Sequence, residues 1–279
     1  MRLLLDFDSI LYHAVYRIVS FEQMRSKITD FGKEGARQWL LETVYNEGVE
    51  RCEKEIENIK NHLGNIFFED IDSVELFITT CRKSFRKELS STYKSNRKAN
   101  KYVWLLREHF ANNGAKFSDT HEADDLIAYR AIELGVGNYL VCSIDKDLKQ
   151  IGGHYWSYYK QNVKDENGEK VLTEWGWPER EYKQPQVDFI SEEDAKLFFW
   201  AQVLSGDKGD CIEGLKAISA VEKKEILKNT GVKIDCRVGE ITAKKILKNS
   251  KNYFITVARE YIIRGQKKDF KINYKLLKL

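Results

Sequence analysis

Proline is almost missing: the chain has two in 279 residues, Pro178 and Pro185, and they punctuate a stretch near 180–190 where the sequence pattern changes. Cysteine is sparse and scattered. The five thiols, Cys52, Cys81, Cys142, Cys211 and Cys236, are odd in number and form no CxxC pair. That argues against a disulfide framework and a structural zinc site, and it suits a reducing cytoplasm. No apolar run reaches 18 residues, so no spanning helix is expected. An acid follows only four residues into the apolar run of MRLLLDFDSI, so this opening reads as a first β-strand and not as a signal peptide. The five histidines lie apart, and only His121, beside Glu122, neighbours a candidate ligand. No GxxxxGKS/T phosphate loop and no GxSxG elbow occur. Gly135-Val136-Gly137 follows a helix-like segment and precedes a strand-like one, the reverse of a dinucleotide fingerprint, so it reads as a turn.

Carboxylates in pairs are what the chain does have. Asp6 and Asp8 end the first apolar run, Glu122, Asp124 and Asp125 stand in HEADD, Asp145 and Asp147 in SIDKD, and Asp207 and Asp210 in SGDKGD. Each group sits at the end of a strand-like run or the start of a helix-like one, where an α/β protein collects its site. Any one group has an ordinary explanation, as a helix's first turn or an Asp-rich turn. Four such groups together point instead to hard oxygen ligands for Mg²⁺ or Mn²⁺ and to phosphoryl-transfer chemistry. Setting these nine acids aside leaves 46 basic residues against 34 acidic, an excess of 12 that suits a polyanionic substrate.

Helix-like and strand-like segments alternate in the first part. Leu3–Leu5, Val74–Thr79 and Tyr139–Ile144 read as strands. Ile10–Val19, residues 34–64, Tyr102–Asn113 (ended by Gly114) and Glu122–Leu134 (ended by Gly135) read as helices. Tyr155–Lys160 and Lys170–Glu174 read as a hairpin around Asp165–Gly168. The pattern predicts an α/β fold: a mainly parallel central sheet flanked by helices over residues 1–185, and a helical appendage over 186–279. Between the second strand and the next helix runs RKSFRKELSSTYKSNRKANK, about 82–101, with one acid. Arg86, Lys87, Lys94, Arg97 and Lys98, at spacings that put several on one helical face, interleave with Phe85 and Tyr93; cations of this kind suit phosphates and aromatic rings stack on unpaired bases.

LLLDFDSI, FRKELSSTYKSNRK, EADDLIA, CSIDKDLKQI and SGDKGDCIEGL follow one another in this order. The series resembles the phage and bacterial 5′→3′ exonucleases of the flap-endonuclease superfamily, with their PIN-like core, over residues 3 to about 220. The resemblance implies a hydrolase that cleaves phosphodiester bonds at or near 5′ ends of duplex DNA, with nicks or flaps as substrates. RNA in an RNA–DNA hybrid, through RNase H activity, is a second implied substrate. It also implies two Mg²⁺ ions, for which Mn²⁺ can substitute. Asp6, Glu122 and Asp124 would hold the first; Asp124, Asp145, Asp147 and Asp207 the second, with Asp125 and Asp210 nearby and Asp8 less firmly placed. Tyr93, Lys94 and Arg97 resemble gateway residues that steer the 5′ strand. The duplex grip falls on Gly214–Ser219 or on Val238–Ala243, with Gly239, Lys244 and Lys245. A family aspartate after the second strand is replaced here, with Cys81 the nearest match. The implied state is a monomer in the cytoplasm, that of the bacterial host if the chain is phage-encoded. The competing readings are a PIN-type ribonuclease and a DNA-binding relative that has lost catalysis.

Overall fold

The computed structural model describes residues 1–279 apart from 17, 20, 68–70, 72, 81–82, 174–177 and 249. Its strands are β1 (Arg2–Asp6), β2 (Val74–Phe77), β3 (Tyr139–Cys142), β4 (Gly153–Trp156), β5 (Lys160–Asn162), β6 (Arg180–Tyr182), β7 (Asp188–Ile190), β8 (Gly206–Asp207) and β9 (Ile212–Glu213). Its helices are α1 (Asp8–Ala14), α2 (Phe21–Phe67), α3 (Phe85–Leu89), α4 (Lys101–Asn112), α5 (Ala123–Leu134), α6 (Glu192–Ser205), α7 (Ala220–Thr230), α8 (Glu240–Lys248), α9 (Tyr253–Ile263) and α10 (Lys267–Leu277). Two compact units result. One comprises Met1–Cys81, Ala99–Leu148 and Gly153–Phe189, the other Arg82–Lys98, Lys149–Gly152 and Ile190–Leu279.

The first unit is built on a five-stranded sheet in the order β2-β1-β3-β4-β7. β1 pairs in parallel with β2 and β3, and β3 in parallel with β4. Leu3, Leu4 and Leu5 of β1 are all buried, because a parallel strand covered on both faces must be apolar on both. The α/β class expected from the alternating pattern is the one observed. α2 is broken at Gly32, whose φ of +71 lies outside the helical region. Leu11, Ile59, Leu63, Val103 and Leu106 pack with Leu3, Leu5 and Trp156 into one core, and Phe7 meets Phe110 edge-on at 4.7 Å. Each such side chain contributes roughly 1.5–3 kcal/mol by burial. α5 starts where Asp125 Oδ2 accepts the Glu122 N–H at 3.0 Å and stops at Gly135, whose φ is +76.

Two segments differ from expectation. The helix foreseen over Ile10–Val19 ends at Ala14, where the chain tightens and the Tyr16 N–H bonds to the His13 carbonyl. The hairpin foreseen from Tyr155 divides: Tyr155 and Trp156, both buried rings, enter the main sheet opposite Val141 and Cys142. Lys160–Asn162 instead pairs antiparallel with Arg180–Tyr182. A smaller turn survives at Asp165–Gly168, with Lys164 bridged to Lys170. Glu174, the far end of that expected hairpin, lies outside the described residues.

The second unit packs α6, α8, α9 and α10 around Val203, Leu204, Leu247, Val257 and Tyr261. Tyr261 donates its hydroxyl to the Val203 carbonyl at 2.6 Å and accepts from Asn273 at 2.9 Å, so the buried phenol is satisfied. The basic segment is no continuous helical face. α3 is five residues long, capped by Ser84, and the chain is extended at Ser90 before it turns again. Among the described residues no helix is long and apolar enough to cross a membrane.

Candidate functional site

In the first unit β1 and β3 end side by side, Leu5 opposite Cys142, and the chain leaves each strand carrying acids. Asp6 closes β1. Its Oδ2 accepts the Ser143 hydroxyl at 2.6 Å, and Ser143 Oγ in turn accepts the Asp145 N–H at 2.8 Å. Asp145 Oδ1 accepts the Asp147 N–H at 2.9 Å, an Asx turn that opens the 3₁₀ segment Lys146–Ile151. Tyr155 donates to the carbonyls of Ser143 and Asp145, and Tyr158 to that of Asp6 at 2.7 Å, so the loop that presents these carboxylates is held from below.

Asp6 is only 8% exposed. Burial, then the charge of Asp8, push its carboxyl up to about 7, with Asp145 and Asp124 adding to the rise and the Ser143 hydrogen bond opposing it. Four of the expected carboxylates thus act on one another at the carboxyl edge of the sheet. Glu122 is buried at the start of α5, whose Ala123 N–H is anchored on Thr79 Oγ1 at 3.0 Å. Asp124 Oδ1 accepts the Asp125 N–H at 3.0 Å.

Two of the expected ligands, Asp8 and Asp125, also hold the protein's own donors. Asp8 accepts the Thr79 N–H and two bonds from Arg107, at 2.8 and 3.1 Å, on the same oxygen. It is the counter-ion of a nearly buried arginine. Asp125 is 2% exposed and its Oδ2 closes the N-terminus of α5, so it is a capping residue. Cys81, the nearest match to the aspartate that the resemblance implies, lies outside the described residues. Among the described residues no three Asp, Glu, His or Cys side chains converge closely enough to ligate an ion as they stand. The donor set nonetheless fits a hard divalent cation. It is all oxygen, and it is crowded with like charge around a buried member.

Asp207 and Asp210 belong to the second unit; Asp207 ends β8, opposite Ile212, and Asp210 lies on the turn to β9. Asp207 Oδ1 accepts the N–H groups of Gly209 and Asp210, and its Oδ2 accepts from Gln202, which Gln150 holds in turn. Gly206 and Gly214 cross so tightly here that a Cβ on Gly206 would lie 2.2 Å from the Gly214 nitrogen. Asp210 pairs with Lys94 Nζ at 3.6 Å and Arg97 Nη2 at 2.5 Å.

Arg97, Lys87 and Lys98 are exposed, as are Gly239, Lys244 and Lys245, with Lys244 paired to Glu240. Arg86 is not available to DNA. It is 1% exposed and its guanidinium donates to the carbonyls of Leu276 and Lys278 at 2.8 and 3.1 Å. Tyr93 is likewise buried, in the core of the second unit, so it is no stacking platform. Ser219 caps α7 in a capping box with Glu222, which accounts for its place in the Gly214–Ser219 stretch. His121 shares a hydrogen bond with Thr120 Oγ1 at 2.9 Å. Ser143, Thr79, Arg107 and Gln202 bond to the expected acids without being among the expected site residues. Only Ser143 carried a signal, as the hydroxyl between a buried strand and its acids.

No family model and no curated protein matches the sequence. Solved structures do. One of T5 5′-exonuclease with divalent zinc ions bound aligns at a TM-score of 0.52 with 12% identity, covering 99% of this chain and 88% of that one. Another, of a T5 protein co-crystallised with metal ions, aligns at 0.48 with 14% identity, covering 99% and 88%. At such identity the likeness is one of fold: the chain has the α/β fold of T5 5′-exonuclease, with its C-terminal helices.

Proposed function

We propose that this chain is a divalent-metal-dependent nuclease that hydrolyses phosphodiester bonds at or near 5′ ends of duplex DNA. The observation that carries the reading is Asp6, a buried carboxylate pushed up to about 7 by its burial and by three neighbouring acids at the carboxyl edge of a parallel sheet. The fold shared with T5 5′-exonuclease, a protein solved with divalent ions, supports the same reading. Asp6, Glu122, Asp124, Asp145 and Asp147 are the residues that would hold the cation, Mg²⁺ by the hardness of the donors. Bound there, the ion would lower the pKa of a water ligand and offset charge on the scissile phosphate. The chain's own part is positional. Asp6 would have to be ionised to hold a cation, and Ser143 keeps it and Asp145 in register through one hydroxyl. Tyr155 fixes the backbone that aims Asp145. Lys87, Arg97 and Lys98 offer positive charge to the phosphate backbone without reading bases.

Asp145→Asn keeps the shape of the side chain and removes its charge. It should lower turnover at least 10²-fold in Mg²⁺ while leaving the Kd for DNA within a few-fold. Wild-type turnover in that variant would remove Asp145, and with it this site, from the chemistry. Product lengths on nicked and 5′-flap duplexes decide between exonucleolytic and flap cleavage, and an RNA–DNA hybrid tests for RNase H activity.

A further inference from the structure

Asp210 sits between the two cations that the gateway resemblance assigns to the DNA. Its Oδ1 takes Arg97 at 2.5 Å and its Oδ2 takes Lys94 at 3.6 Å, while its carbonyl accepts the Lys94 N–H at 3.0 Å. Lys94 is held in the left-handed region at φ +51, uncommon for a residue with a side chain, and is one residue from the buried ring of Tyr93. Asp210 is itself fixed, since its N–H is bonded into the Asp207 Asx turn. The carboxylate and both cations belong to one compact unit, and Lys94 and Asp210 are each only 17% exposed at the side chain, where ion pairs are poorly screened.

We propose that Asp210 is the resident counter-ion of the 93–97 turn, a latch that positions Lys94 and Arg97 and that the phosphates of an entering DNA strand displace. It acts as a positioning residue. The identity of the polyanion rests on the function proposed above; the latch itself does not. Phosphate and Asp210 attract the same two cations, so a strand that engages both competes with a carboxylate already in place. The device favours a bound strand that offers several phosphates over a lone anion.

The test is the binding of a labelled single-stranded oligonucleotide in EDTA across a salt series. Asp210→Asn should tighten binding at low salt at least 3-fold. It should also steepen the slope of log K against log salt by about 0.7 for each cation freed. Asp210→Glu should restore both values. In a Lys94→Met/Arg97→Met background Asp210→Asn should change neither. An equal gain in that background, or no gain in the otherwise wild-type chain, would overturn the latch. Trypsin provides a readout without DNA: cleavage after Lys94 and Arg97 should accelerate several-fold in Asp210→Asn. If cleavage accelerates but the wild-type chain binds no oligonucleotide, the latch stands and the DNA reading falls. Unchanged cleavage together with unchanged binding removes the latch.

Discussion

Asp6 shows what a single residue can report. Its carboxyl has an ordinary value of 3.8 and is pushed up to about 7, first by burial and then by Asp8. A raised acid stabilises the fold while it stays protonated. The contribution is complete below about pH 4, falls as pH rises towards 7, and is gone above it. At about 1.4 kcal/mol per pH unit, the loss is on the order of 4 kcal/mol. Metal-free protein in EDTA should therefore lose stability across this window. Asp6→Asn should flatten the loss, and Mg²⁺ added to wild type at pH 8 should raise Tm. An unchanged pH profile in Asp6→Asn would place the strain elsewhere. Asp6 was legible in the sequence because an acid directly after LLL must lie at a strand's end. Arg107 was not, since an arginine within an amphipathic helix has many uses and nothing in its spacing names Asp8 as its partner.

Elements were legible where their ends carry chemistry. α5 could be read because acids open it and Gly135 closes it; β1 and β3 could be read because both are continuous apolar runs. β4 could not. Its alternating aromatic pattern suits a hairpin as well as a sheet strand, and only the burial of Tyr155 and Trp156 against β3 decides. The basic segment misled for a related reason: composition marks it as cationic but cannot say which cation turns inward. Arg86 does. Arg86→Met should destabilise the second unit by about 2–3 kcal/mol, because it strips two charged hydrogen bonds from the end of α10. DNA affinity of the folded protein should stay unchanged, whereas a ten-fold weaker Kd with unaltered stability would return Arg86 to the DNA surface. Gly206→Ala should cost more still, at least about 3 kcal/mol by chemical denaturation. The new Cβ meets Gly214 backbone at 2.2 Å and the φ of +75 is strained for alanine.

At the scale of the molecule, alternation of strands and helices made the fold class readable, and the order of the acidic motifs suggested the fold now seen beside T5 5′-exonuclease. What the order of motifs could not reveal is how each acid is employed. Asp8 answers an arginine, Asp125 caps a helix and Asp210 holds two cations, while Asp6, Asp124 and Asp145 crowd one another at the sheet edge. The proposed activity therefore requires a cation to meet that crowd and a phosphodiester to be cut there. The direct measurement is cleavage of a 5′-labelled nicked duplex and its 5′-flap counterpart, each with Mg²⁺ and with EDTA. A metal-dependent 5′ nuclease should give short 5′ products in Mg²⁺ and none in EDTA. Intact substrate with both Mg²⁺ and Mn²⁺, at protein concentrations that bind the DNA, would contradict it.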